Sequence, residues 1–174
     1  VNRFNEGHLI DGTVCDAPTT PFTYGVAGYP EKHEEAMNLD TDMQHLVQKI
    51  GEGAQYVVTQ MFFDNKKYFA FVDRLRQMGV QVPVIPGLKP LTTLGHKSLL
   101  PKTFHIDFPA ELVKEFEHCH NNDDVKALGV VLFQVKLQGL SSAEITDGVL
   151  LKLSNLRKQP KEFTSCAARV QYMP

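Results

Sequence analysis

Cysteine is scarce in this chain and badly spaced for either of its structural uses. Cys15, Cys119 and Cys166 are odd in number, lie far apart and form no C-x-x-C pair. That excludes a disulfide framework and a zinc ribbon, and it suits a reducing compartment. Long hydrophobic runs are missing too, since none approaches the roughly 20 residues of a membrane span. Neither sign of charge dominates: 18 Lys and Arg stand against 20 Asp and Glu, a net charge of -2, without a long basic block. A phosphate-tracking surface for nucleic acid is therefore disfavoured. The opening, VNRFNEGHLIDG, has no signal-peptide apolar core and no initiator Met, and it reads like the middle of a longer chain. The expectation is a cytoplasmic protein, or a piece of one, with no nucleic-acid or membrane partner.

Several catalytic signatures are also absent. HEEAM has no second histidine at the spacing of a zinc-protease helix, and neither G-x-G-x-x-G nor a P-loop occurs. His118, Cys119 and His120 are consecutive, so on a helix they diverge, and a surface helix end explains them better than a metal. No internal repeat or low-complexity tract is present.

What remains is a chain of 174 residues, 43% hydrophobic, which suits one domain with a real core. FTYGVAGYP (22–30) reads as a buried strand closed by a Gly-Tyr-Pro turn. A helix follows from Leu39, with Asp40 or Thr41 as its N-cap and Met43, Leu46, Val47 and Ile50 on its apolar face. Gly51 and Gly53 supply its stop. AQYVVTQMFFD (54–64) is a second strand, and residues 65–78 a helix with Tyr68, Phe71, Val72 and Leu75 inward. VQVPVIPGLKPL is a third strand with a kinked exit. Helices are expected over about 109–119 and 123–139, and DGVLLKL is a weaker strand candidate. This order indicates α/β class with parallel βαβ units, either an open doubly wound sheet or part of a (β/α)8 barrel. In both, ligands bind at the carboxyl ends of the strands.

Two features stand at those exits. Asp42, His45 and Lys49 fall at i, i+3, i+7, on a stripe opposite the core face, with His33 just before the helix. Such a set can hold a sugar-phosphate, carboxylate to hydroxyls and ammonium to phosphate, or it can be an ordinary solvated face. Gln60 lies in the apolar run VVTQMFF, where an unpaired amide costs roughly 1–3 kcal/mol, so backbone, water or ligand must satisfy it. Phe62 and Phe63 read as core, and Asp64 as a cap of the following helix.

VAGYPEKH, VTQMFFD and PVIPGLKPL, in this order and spacing, resemble the methylenetetrahydrofolate reductase family, flavoproteins built on a (β/α)8 TIM barrel. The resemblance covers about residues 1–126 and is strongest over 22–91. It implies a single domain over 1–174 that forms the second half of the barrel, with an atypical tail over 130–174. It implies FAD-dependent reduction of 5,10-methylenetetrahydrofolate to 5-methyltetrahydrofolate with NAD(P)H, in a cytoplasmic enzyme that is a homo-oligomer when whole. By the same resemblance Tyr29, His33, Ala36, Asp42 and Lys49 contact FAD, and Gln60 grips the pterin of folate. His96 stands at a second pterin position, and Arg157 is a weak candidate for an arginine that meets the glutamate tail of folate. The family's catalytic acid, and an aspartate near the flavin, are expected before Val1, so no catalytic residue is assigned. A non-catalytic half-barrel that binds FAD weakly and pairs with another chain is the alternative. A different barrel enzyme for a phosphorylated metabolite is a third.

Overall fold

A computed structural model of the chain describes residues 1–141. The strand candidate at 147–153, Arg157 and Cys166 lie outside the described residues. A short helix, α1 (Asn2–Asn5), precedes three parallel strands, β1 (Gly25–Gly28), β2 (Tyr56–Met61) and β3 (Val84–Gly87), in the spatial order β1-β2-β3. The crossovers are α2 (Leu39–Gly51) and α3 (Asn65–Gln77), and α4 (His96–Phe104), α5 (Ala110–Glu117) and α6 (Asn122–Ser141) follow β3.

Helical periodicity in α2 and α3 produces the first core cluster. Met43 and Leu46 of α2 and Tyr68, Phe71, Val72 and Leu75 of α3 pack with Val57 and Val84 of the sheet, and Leu140 of α6 closes the group. Both crossover helices thus cover the same sheet face. The opposite face of β2 presents Val58, which is 41% exposed. Tyr68 is fully buried and donates its hydroxyl to the Val84 carbonyl at 2.7 Å. That bond satisfies its one polar group, and burial pushes its pKa up to about 12.

A second cluster joins Phe63 at the β2 exit to Leu91, Leu100, Ile106, Leu112, Phe116, Val125 and Leu128. Here α6 approaches the backbone closely, because a Cβ at Gly129 would strike the Leu91 carbonyl oxygen. Residues 130–141, read from sequence as the start of an atypical tail, form the second half of α6 and place Leu140 in the core.

Two local expectations are corrected. The N-cap of α2 is Asn38, whose Oδ1 accepts the Thr41 N–H at 2.8 Å, and neither Asp40 nor Thr41. Asp40 instead sits in the first turn, where the helix dipole favours a carboxylate, and pairs with Arg74 of α3 at 2.8 Å. The helix α4 is not among the helices expected from the sequence, and it forms although Pro101 lies inside it and proline usually breaks a helix interior. It persists in a short element anchored by buried Leu100 and closed by His105 in a left-handed conformation. Asp64, by contrast, does cap α3, accepting the Lys66 N–H at 2.8 Å.

Candidate functional site

The chain leaves β1 through Tyr29 and Pro30 into a loop, residues 31–38, that returns to the start of α2. Five sets of contacts give this loop one shape. The Asp42 carboxylate accepts the His33 backbone N–H at 2.8 Å. The His33 Nδ1 accepts the Glu35 N–H at 3.2 Å, which puts the proton of the neutral ring on Nε2. Glu31 accepts the Asp107 N–H at 2.7 Å and faces the Lys67 ammonium at 3.0 Å, while Lys67 also pairs with Asp107. His105 meets Glu34 at 3.1 Å. Burial opposes the Lys67 charge, but its bonds to Asp107 and Glu31 outweigh that and leave its pKa raised.

Lys32 makes the fifth set and the least expected. Its backbone has φ 97°, a conformation that costs a residue with a side chain about 1–3 kcal/mol. Its ammonium turns back into the loop and donates to the carbonyls of His33, Glu34 and Ala36 at 2.8, 3.0 and 2.7 Å. Hydrogen bonds to a charged group are worth roughly 1.5–3 kcal/mol each, so three of them outweigh the strain.

Between this loop and α2 lies an open groove of about 420 Å³ lined by His33, Glu35, Ala36, Asp42, His45, Gln48 and Lys49. The stripe at i, i+3, i+7 therefore faces the loop rather than open solvent alone. Among the described residues, His45 and Lys49 have no side-chain partner, so their polar ends remain available to a ligand. Tyr29 stands behind the groove with its ring edge-on to His33, 4.6 Å between centroids. Volume and donor set suit one portion of a nucleotide: an ammonium and an imidazole for phosphate, and a carboxylate for hydroxyls.

Gln60 is not among the residues lining that groove. It stands half-buried at the β2 exit, where a bulge shifts the pairing with β3 between Val58 and Met61. Its Oε1 accepts the Met61 N–H at 2.9 Å, so half of the amide is satisfied locally and Nε2 remains as a donor. The bulge has a covalent cause on the partner strand. Pro86 has no N–H to give, and the buried Thr59 hydroxyl accepts the Gly87 N–H at 2.9 Å instead. A Cβ at Gly87 would collide with the Thr59 carbonyl oxygen, so glycine is required there.

Phe62 and Phe63 are buried and serve the two cores. They also shelter a group that sequence reasoning missed. Lys136 of α6 is 6% exposed, donates to the Phe62 carbonyl at 2.7 Å and lies 4.2 Å from the Phe62 ring centroid. Burial depresses its pKa to about 7, against the opposing pull of Asp64 and Glu31. His96 opens α4, and its Nδ1 accepts the Thr92 N–H at 3.2 Å. Burial, then the nearby Lys89, lowers its pKa.

The family model described as "Methylenetetrahydrofolate reductase" matches residues 16–161. The chain belongs to the methylenetetrahydrofolate reductase family. The match runs about thirty residues past the point near 130 where the resemblance lapses to the eye. Methylenetetrahydrofolate reductase 2 of Saccharomyces cerevisiae is 32% identical over 142 residues, 80% of this chain and 24% of the yeast protein. The 5,10-methylenetetrahydrofolate reductase of Escherichia coli is 31% identical over 107 residues, 62% of this chain and 36% of the bacterial protein. The chain thus spans about a quarter to a third of the length of these relatives. A solved structure described as "Uncharacterized protein from Clostridium thermocellum binds two copies of 5-methyl-5,6,7,8-tetrahydrofolic acid" aligns at TM-score 0.49 and 19% identity. It covers 71% of this chain and 44% of that one. A likeness that slight carries no argument.

Of the residues that the family resemblance had singled out, the fold brings His33, Ala36, Asp42 and Lys49 to one groove, with Tyr29 against it. Gln60 and His96 lie on other elements, each engaged with a nearby backbone N–H. Among the described residues no group of three His, Cys, Asp or Glu side chains is placed to hold a metal, and no helix is long and apolar enough to cross a membrane.

Proposed function

We propose that this chain forms the second half of a (β/α)8 barrel in an enzyme that reduces 5,10-methylenetetrahydrofolate to 5-methyltetrahydrofolate, with FAD as cofactor and NAD(P)H as reductant. One observation carries the reading. In a member of this family, His33, Ala36, Asp42 and Lys49 converge on a single groove beside a strand exit, where α/β folds bind ligands. The strand order supports a barrel wall. Sequential neighbours β1-β2-β3 with both crossovers on one face give no reversal of order, which a doubly wound sheet needs.

The groove's donor set fits the nucleotide portion of FAD. Lys49 would neutralise phosphate oxygens, assisted by His45. Asp42 already spends Oδ2 on the His33 N–H and keeps Oδ1 for hydroxyls. His33, held edge-on by Tyr29, would present its Nε2–H toward the cofactor. Bound FAD supplies the hydride chemistry that no side chain can. At the neighbouring exit, the Gln60 Nε2 would donate to the pterin of folate, its orientation held by the Met61 N–H. The reading extends to a cytoplasmic homo-oligomer.

A second reading, a non-catalytic half-barrel paired with another chain, draws on the exposed sheet face at Val58. Titrating the purified chain with FAD and following the visible absorption spectrum tests the first reading. A shifted, retained flavin band that Asp42→Ala and Lys49→Ala weaken is the expected result. A protein that leaves the flavin spectrum and mobility unchanged refutes cofactor binding by this chain.

A further inference from the structure

We propose that Lys32 is the positioning residue of this groove: an internal ammonium that replaces a bound cation and holds the 33–36 loop in its ligand-lining form. The inference rests on the reading of the groove as a cofactor site, but its structural half stands apart from it. Three carbonyls of a single turn, those of His33, Glu34 and Ala36, point to one centre, and the Lys32 Nζ occupies that centre at 2.7–3.0 Å. Convergent carbonyls repel one another unless a positive charge lies between them. Two residues whose carbonyls bind the ammonium, His33 and Ala36, also line the groove. The same turn sets the His33 N–H on Asp42, so its collapse would free Asp42 as well. The left-handed backbone at Lys32 shows that the chain accepts strain to bring the ammonium inward. Lys32 touches no ligand in this scheme. It acts through the loop.

The test uses Lys32→Gly in the full chain. Glycine adopts the left-handed backbone freely, so the variant removes the ammonium without adding strain. It leaves an empty nest of carbonyls into which methylammonium fits. Two readouts are taken: the rate of cleavage after Glu34 and Glu35 by a glutamate-specific protease, and FAD affinity from flavin fluorescence. We expect faster cleavage and roughly tenfold weaker FAD binding, equal to about 1.4 kcal/mol. Methylammonium should restore both, and tetramethylammonium at matched ionic strength should restore neither. Cleavage and affinity both unchanged in the variant, or a loss that methylammonium does not repair, would overturn the proposal. If the wild type ignores FAD while cleavage still rises and is rescued, Lys32 keeps its role and the cofactor reading fails. If the wild type binds FAD and the loop opens without loss of affinity, the positioning role is overturned and the cofactor reading survives.

Discussion

Replacing Lys136 with methionine should stabilise the protein at low pH and do progressively less as pH rises. In the folded chain the ammonium titrates near 7, against 10.5 in an unperturbed lysine. That difference corresponds to about 5 kcal/mol of burial cost. Between about pH 7 and 10.5 the unfolded state binds more protons than the folded one, so wild-type stability rises with pH across that window. The penalty is fully present below the folded pKa and gone above the unfolded one. Methionine has nearly the same length, carries no charge and suits a site between two phenyl rings. It loses the bond to the Phe62 carbonyl, which subtracts about 1 kcal/mol. Urea unfolding of both proteins should therefore give Lys136→Met an advantage of roughly 4 kcal/mol near pH 6, with the difference vanishing or reversing near pH 10. A gap that does not change between those pH values would refute the reasoning, because it would mean that the ammonium is solvated in the folded protein.

Gly87→Ala should destabilise by several kcal/mol in the same assay, since the new Cβ meets the Thr59 carbonyl, which is backbone and cannot rotate away. A loss under about 1 kcal/mol would mean the bulge is softer than the geometry implies. Asn38→Ala removes the α2 cap and should cost about 1 kcal/mol, whereas Asn38→Asp should cost little because the acceptor oxygen remains. Gln60→Ala, in an enzyme that turns over folate, should reduce folate turnover more than FAD affinity, because Gln60 stands apart from the groove. Equal loss of both would remove its assignment to the pterin.

How much of this was legible beforehand depended on how local the cause was. The α3 face is a local matter: Tyr68, Phe71, Val72 and Leu75 recur at helical spacing, and all four are buried. The same holds for the Asp64 cap and for the stripe of Asp42, His45 and Lys49, which periodicity alone places on one side of α2. Where local rules compete, residue type alone does not decide. Three polar residues, Asn38, Asp40 and Thr41, all qualify as caps, and only the path of the incoming chain selects Asn38. In α4, tertiary anchoring at Leu100 sustains a helix that Pro101 alone would disfavour.

The order of the three strands and their crossover helices, the faces of those helices and the family itself were determined by the sequence, since each rests on spacing or on a run of adjacent residues. Only the tertiary structure decided what the charged residues do. Lys32 reads as one more surface lysine in EKHEE, and the left-handed turn that folds it onto three carbonyls has no signature in residue type. Lys136 reads as the polar member of a helix, and it becomes buried because α6 crosses the β2 exit, bringing residues 74 positions apart into contact. Periodicity reports which way a side chain points from its own element. What it meets is set for Lys136 by packing between elements distant in sequence, and for Lys32 by a left-handed turn that closes the loop on residues within four positions of it.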